Sequence, residues 1–159
     1  MSDKSAALLA SIYESAPGYE PRESPAYHRL TAPERAAALA SMPSHLECIT
    51  RAVWGHDVKA ATRLPHHLYT SRERYWEWRA RGWSDAAKGH KLVRLCVVAG
   101  GEICHPNPAI WKPAFRAAAC GIGMGSWANR WTRRYGALLG IGAYWLDEAD
   151  RHIRRRIGG

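Results

Sequence analysis

The sequence contains little that would indicate a membrane, a disulfide framework or a zinc site. No stretch approaches the roughly 20 consecutive apolar residues of a membrane-spanning helix, and no basic start followed by an apolar run indicates an export signal. None of the four cysteines forms a C-x-x-C pair: they are Cys48, Cys96, Cys104 and Cys120. We therefore expect a cytoplasmic protein without membrane contact, without a metal site, and with its cysteines as buried thiols in a reducing compartment.

Patterns typical of β-structure are also missing. No segment alternates apolar and polar residues over the length of a strand, whereas 31–34 (TAPE) and 44–47 (SHLE) are capping boxes that open helices. The sequence predicts an all-α fold, a helical bundle with a C-terminal helix-turn-helix. We expect an N-terminal helix and proline-rich arm over 1–30, a helical core over 31–105 and a DNA-binding region over 106–159, together in one compact domain.

Proline and glycine indicate where helices should end. The helix that opens at the second capping box should end before Pro65. Gly100 and Gly101 should stop a later core helix, and a helix over about 108–120 should end at Gly121.

Acidic residues are scarce relative to basic ones. The chain has 23 Lys and Arg against 14 Asp and Glu, a formal net charge of +9, and most of the cations are arginine. The guanidinium fork matches phosphate and guanine, so nucleic acid is the expected partner class. A basic protein whose charges are only solvated is the plainer interpretation, and charge alone does not separate the two.

The stretch 72–83 interleaves arginine with tryptophan. Such a pattern can stack unpaired bases on aromatic rings. The plainer interpretation, which we favour, is a helix whose tryptophans fill the core while its arginines lie along the surface. Both interpretations stay open at this point.

Aromatic residues recur at a fixed step in the last third of the chain. Trp127, Trp131 and Tyr135 are four positions apart and predict an apolar helical stripe that Leu138 extends. Arginines fall together on the neighbouring face, where they could meet a phosphate backbone. These arginines are Arg130, Arg133 and Arg134.

The residues that follow predict two helices joined by a tight glycine turn. Gly136 would be the small residue where the helices cross, Gly140 the turn, and Leu146 an inward residue of the second helix. Gly142 would complete the turn. An ordinary helical hairpin is the alternative to a DNA-reading unit.

The second of these helices has one apolar and one polar side. Leu146, Ala149, Ile153 and Ile157 are spaced to face inward. We expect DNA contacts from the other side, where arginine can bind guanine and a carboxylate can accept from cytosine. That set is Tyr144, Asp147, Glu148, Arg151, Arg154 and Arg155. Asp147 and Arg151 could instead form an i,i+4 ion pair.

This arrangement resembles the helix-turn-helix of sigma-factor region 4 and of small phage or prophage transcription regulators, over about residues 108–157. The resemblance implies promoter-type duplex DNA as the ligand and RNA polymerase as a partner. The expected function is that of a sequence-specific transcription regulator. A structural DNA-packaging protein of the small-terminase type is the alternative, and the oligomeric state would separate them.

Enzymatic motifs are lacking. Histidine recurs at 56–57, 66–67 and 104–105 beside Asp, His or Cys, but without the helical i,i+4 spacing of a metal site or an adjacent nucleophile motif. We therefore expect no catalytic residues and no cofactor. A nuclease remains the enzyme that this composition would best accommodate.

Overall fold

Every regular element is a helix in the computed structural model, which describes residues 25–71 and 86–158. The all-α prediction is therefore confirmed for this part of the chain. Two predicted features, most of the N-terminal arm and the stretch 72–83, lie outside these residues. In chain order the elements are α1 (Pro25–Arg29), α2 (Ala32–Ala40), α3 (Ser44–Val53), α4 (Val58–Thr70), α5 (Ala86–Cys104), α6 (Pro113–Cys120), α7 (Met124–Ser126), a π-helical turn (Trp127–Trp131) and α8 (Thr132–Gly158).

The last helix, α8, is the centre of the bundle. All residues over 135–142 are buried, so this part of the helix has no solvent face. Helices α3 and α5 pack along it, and α1 and α4 add smaller contacts. A helix surrounded in this way must be apolar or small all round, which explains the run YGALLGIG at its centre.

The predicted helix-turn-helix is wrong at its turn. Helix α8 runs unbroken for 27 residues, and Gly136, Gly140 and Gly142 all lie inside it. At Gly142 the missing side chain permits close packing: a Cβ added there would lie 2.6 Å from Cδ1 of Ile103 in α5. Glycine costs about 1 kcal/mol in a helix interior relative to alanine, and burial at the centre of the bundle offsets that cost here.

The aromatic stripe is confirmed and contains the π-turn. Trp127, Trp131 and Tyr135 are all buried, and the rings of Trp127 and Tyr135 lie 5.4 Å apart. The backbone N–H of Thr132 donates to the carbonyl of Trp127, five residues back, which is the bond of a π-helix. The Thr132 hydroxyl donates to the same carbonyl at 2.8 Å and stabilises the wider turn.

Helices α4 and α5 each contain residues that usually interrupt a helix. The helix that opens at Ser44 ends at Val53, before Pro65, and Pro65 itself lies inside the next helix, α4. Gly100 and Gly101 lie inside α5, so the prediction that they stop this helix is wrong. The two helices meet at these residues: a Cβ on Gly100 would lie 3.3 Å from Cγ of Pro65. Packing between the two helices therefore outweighs the local tendency of proline and glycine to interrupt a helix.

One of the two predicted capping boxes forms. The Thr31 N–H donates to Oε2 of Glu34 at 2.7 Å, and the Glu34 N–H donates to Oγ1 of Thr31 at 3.4 Å. The second box does not form, because Ser44 is already helical, and Pro43 precedes it without a side-chain hydrogen bond. Both helices begin where the boxes predicted, but the box itself forms only at α2.

The helix predicted over 108–120 is shorter than expected. It begins at Pro113, where the fixed φ of proline suits a first turn. It ends as predicted at Gly121, whose φ of 67° is the left-handed conformation that favours glycine.

Candidate nucleic-acid interface

The outer face of the C-terminal half of α8 is the basic surface closest to the sequence prediction. Leu146, Ala149 and Ile153 are buried, as predicted, and hold the helix against the bundle. The opposite side is open to solvent. It carries Tyr144, Asp147, Glu148, Arg151 and Arg155, of which Glu148 is half-buried and the others are exposed.

These residues form one row along a single rigid helix. From Tyr144 to Arg155 the row is about 17 Å long at 1.5 Å per residue. Tyr144 is 43 % exposed. The acidic residues lie in the half nearer Tyr144, and the arginines lie in the half nearer the C-terminus. The outer face is therefore acidic at the end near Tyr144 and basic at the C-terminal end.

The arginines of the row are available for an anionic ligand. Asp150 forms its ion pair with Arg154, at 2.7 Å between Oδ2 and Nε. Over residues 25–71 and 86–158 no ion pair joins Asp147 to Arg151, so that alternative is not what the structure contains. Arg155 Nε donates to the carbonyl of Arg151 at 3.3 Å, which satisfies one acceptor in the last turns of the helix.

The second predicted arginine group lies elsewhere. Arg130 and Arg133 are exposed at the π-turn end, and Arg133 is about 27 Å from Arg151 along the helix axis at 1.5 Å per residue. Arg134 is half-buried, with its guanidinium carbon 5.2 Å from the ring centre of Trp131. The structure therefore does not bring the two predicted groups together, and Arg134 packs on the core.

A buried polar cluster was missed by sequence reasoning. Glu102 of α5 accepts two bonds from Arg116 of α6, at 2.8 Å from Nε and 2.7 Å from Nη2. The hydroxyl of Tyr135 in α8 donates to the same carboxylate at 2.9 Å, and the Arg116 guanidinium lies 5.1 Å from the Tyr135 ring centre. Burial and the neighbouring carboxylate raise the pKa of Tyr135 well above its usual range. The sequence signal for this cluster is Glu102 itself, a single acidic residue in the otherwise apolar C-terminal part of α5.

The cysteines are thiols, as expected, and three of them are buried. Cys48, Cys96 and Cys120 lie in the core, and Cys104 is half-buried. Burial raises the pKa of Cys104 and of Cys120 to about 11, which disfavours the thiolate. These positions therefore contribute packing.

The histidines are dispersed over several helices. The rings of His66 and His67 lie 6.0 Å apart on α4, and burial lowers the pKa of His67. His152 contacts the Ser41 hydroxyl at 2.9 Å, and the His45 ring lies 4.9 Å from that of Trp145. Among the described residues no three His, Cys, Asp or Glu side chains are grouped so that they could hold a metal ion. In the same residues no helix is long and apolar enough to cross a membrane.

Comparison of the chain with protein-family models, with curated proteins and with solved structures found no match.

Proposed function

We propose that this protein binds duplex DNA through the outer face of α8 and reads sequence there. The observation that carries the proposal is the row that ends in Arg151 and Arg155, both exposed and neither in an ion pair within the described residues. With the net charge of +9, these arginines favour a polyanion as the ligand.

The geometry of the row suits a groove better than a flat contact. A helix fits the major groove of B-DNA, which is about 12 Å wide, and a row of about 17 Å would span several base pairs. Arginine can bind O6 and N7 of guanine, and Tyr144 adds an amphipathic ring with a hydroxyl. Asp147 and Glu148 repel phosphate but can accept from cytosine N4, so they would act in discrimination more than in affinity.

The proposed reader is a single buttressed helix in place of the helix-turn-helix. Helix α3 packs against α8, and the inward side chains fix the orientation of the outer face. We include transcription regulation in the proposal because a few base-reading arginines can direct a protein to one DNA site. RNA polymerase as a partner, which the resemblance implies, stays a prediction.

Selection of duplexes from a random-sequence pool, followed by binding to the selected and a scrambled duplex, tests the proposal. With about four phosphate contacts, affinity should fall roughly 100-fold between 50 and 200 mM salt. Arg151→Ala should cost about 1–3 kcal/mol on the selected duplex and relax base preference. Arg133→Ala, at the π-turn end, should weaken both duplexes equally with a shallower salt slope.

A charge-matched control is Arg63→Ala, which removes an exposed arginine of α4 and should leave binding unchanged. A flat salt titration would refute DNA binding altogether. Equal losses on both duplexes for Arg151→Ala would show that α8 is only a basic surface. A ring-shaped oligomer with that behaviour would favour the packaging function.

A further inference from the structure

A groove lies on the other side of the C-terminal end of α8, between this helix and α1 and α2. Its volume is about 670 Å³. The floor is aliphatic and the rim is charged. The floor consists of Ala26, Leu30, Ala37, Ala38, Ile153 and Ile157, and the rim of Arg29, Glu34, Arg154 and Arg156.

The apolar stripe of α8 continues past the helices that cover it. Ile153 is fully buried, whereas Ile157, one turn further on, was predicted to face inward and is 56 % exposed. Alanines of α1 and α2 line the same groove, and their short side chains leave space beside Ile157. A contiguous apolar surface with a charged rim is typical of a site that packs against another molecule.

Arginines flank this stripe symmetrically. At about 100° per residue, Arg154 and Arg156 lie about 80° to either side of the Ile153 and Ile157 row. Arg29 adds a third cation from α1. Glu34, the one acid of the rim, already accepts the Thr31 N–H at 2.7 Å in the capping box, and Arg154 is partly neutralised by Asp150. The rim therefore carries three arginines against one glutamate.

We infer that this groove binds an acidic amphipathic helix of a partner protein. Aliphatic groups on the floor gain from contact with leucine-like side chains and offer nothing to a phosphate backbone, which argues against nucleic acid here. Carboxylates on both sides of a partner's apolar stripe would meet Arg154 on one edge and Arg156 on the other. At the same 100° per residue, Arg156 lies about 140° around the helix from Arg151, so these two arginines belong to different surfaces, and Arg154 lies between the two surfaces.

The test uses the full chain and a labelled synthetic helical peptide with leucines at i, i+3, i+4 and i+7 and glutamates beside them. Ala37→Leu fills the floor and should weaken binding at least about tenfold, since a filled pocket excludes its anchor. Ala36→Leu is the matched control, because Ala36 is also exposed on α2 but does not line the groove. Arg156→Ala should weaken binding about fivefold, and Arg151→Ala should leave it unchanged.

Several results would overturn the inference. They are an acidic peptide that does not bind, an acidic peptide that binds the Ala37→Leu and Ala36→Leu variants equally, and a peptide with lysine in place of glutamate that binds as tightly as the acidic one. Binding of dodecanoate at the groove without binding of the peptide would identify a small amphiphile as the occupant. Self-association that Ala37→Leu abolishes would identify a second copy of the chain. If the peptide binds only after Leu8 and Leu9 are replaced by aspartate, the chain's own first segment is the occupant.

Discussion

Removing the cation of the buried polar cluster should destabilise the protein more than removing any exposed ion pair. In Arg116→Met, the side chain keeps its approximate length and loses its charge and its two bonds to Glu102. That carboxylate has a side-chain exposure of 3 %, against 14 % for Arg116, so water cannot replace the lost donors without structural change. The three helices α5, α6 and α8 meet at this carboxylate through Tyr135.

The magnitude follows from burial. Breaking a buried pair by removing one partner costs about 3–5 kcal/mol, because the other charge stays buried. An ordinary domain has about 5–15 kcal/mol of stability, so this loss is a large fraction of the total. An exposed pair is different: Arg51 and Glu47 are bonded at 3.0 Å with 37 % and 38 % exposure, and such a helical pair contributes about 0.3–0.5 kcal/mol.

Urea denaturation followed by circular dichroism measures both variants. Arg116→Met should lower the free energy of unfolding by several kcal/mol, and the matched control Arg51→Met should change it by less than about 1 kcal/mol. Adding Glu102→Leu to Arg116→Met should recover much of the loss, because the buried charge is then gone. If Arg116→Met is as mild as Arg51→Met, or if the double variant is worse than the single one, the reasoning is refuted.

Three further predictions concern pH, packing and thiol chemistry. The fold raises the pKa of Tyr135 above its usual 10.0, so the contribution of this hydroxyl to stability is complete below pH 10 and declines above it. Tyr135→Phe should therefore make the fall of the unfolding free energy at alkaline pH shallower by up to about 1.4 kcal/mol per pH unit. An unchanged slope would contradict this. Gly142→Ala should destabilise by about 1–3 kcal/mol through overpacking. By contrast, Gly101→Ala should be neutral or stabilise the protein by up to about 1 kcal/mol, because its Cβ would lie 3.7 Å from Trp111. Thermal melts in which Gly142→Ala is the more stable of the two variants would refute the packing argument. At pH 8, Cys120 with its pKa of about 11 in place of 9.0 has about 100-fold less thiolate. Iodoacetamide should therefore label it slowly in the folded protein and rapidly in urea, as measured by mass spectrometry. Fast labelling of the folded protein would refute the burial of this thiol.

Periodicity in the sequence was enough to predict the class of fold and the orientation of the last helix. The spacing of Leu146, Ala149 and Ile153 placed Arg151 and Arg155 on the solvent side, because helical geometry alone relates these positions. The step of four residues likewise predicted that Trp127 would be buried. The capping box at the start of α2 and the glycine at the end of α6 were equally local, since each depends on bonds within one turn.

Tertiary contact decided what local rules could not. Gly140 was predicted to be a turn because glycine tolerates positive φ, yet it lies buried inside a continuous helix that other helices surround. Gly100 and Pro65 look like breaks in sequence and are a point of contact between two helices. The Glu102 cluster and the groove in front of Ile157 join residues from three helices each. Their formation depends on how the helices pack around α8, and no single segment of the sequence contains that information.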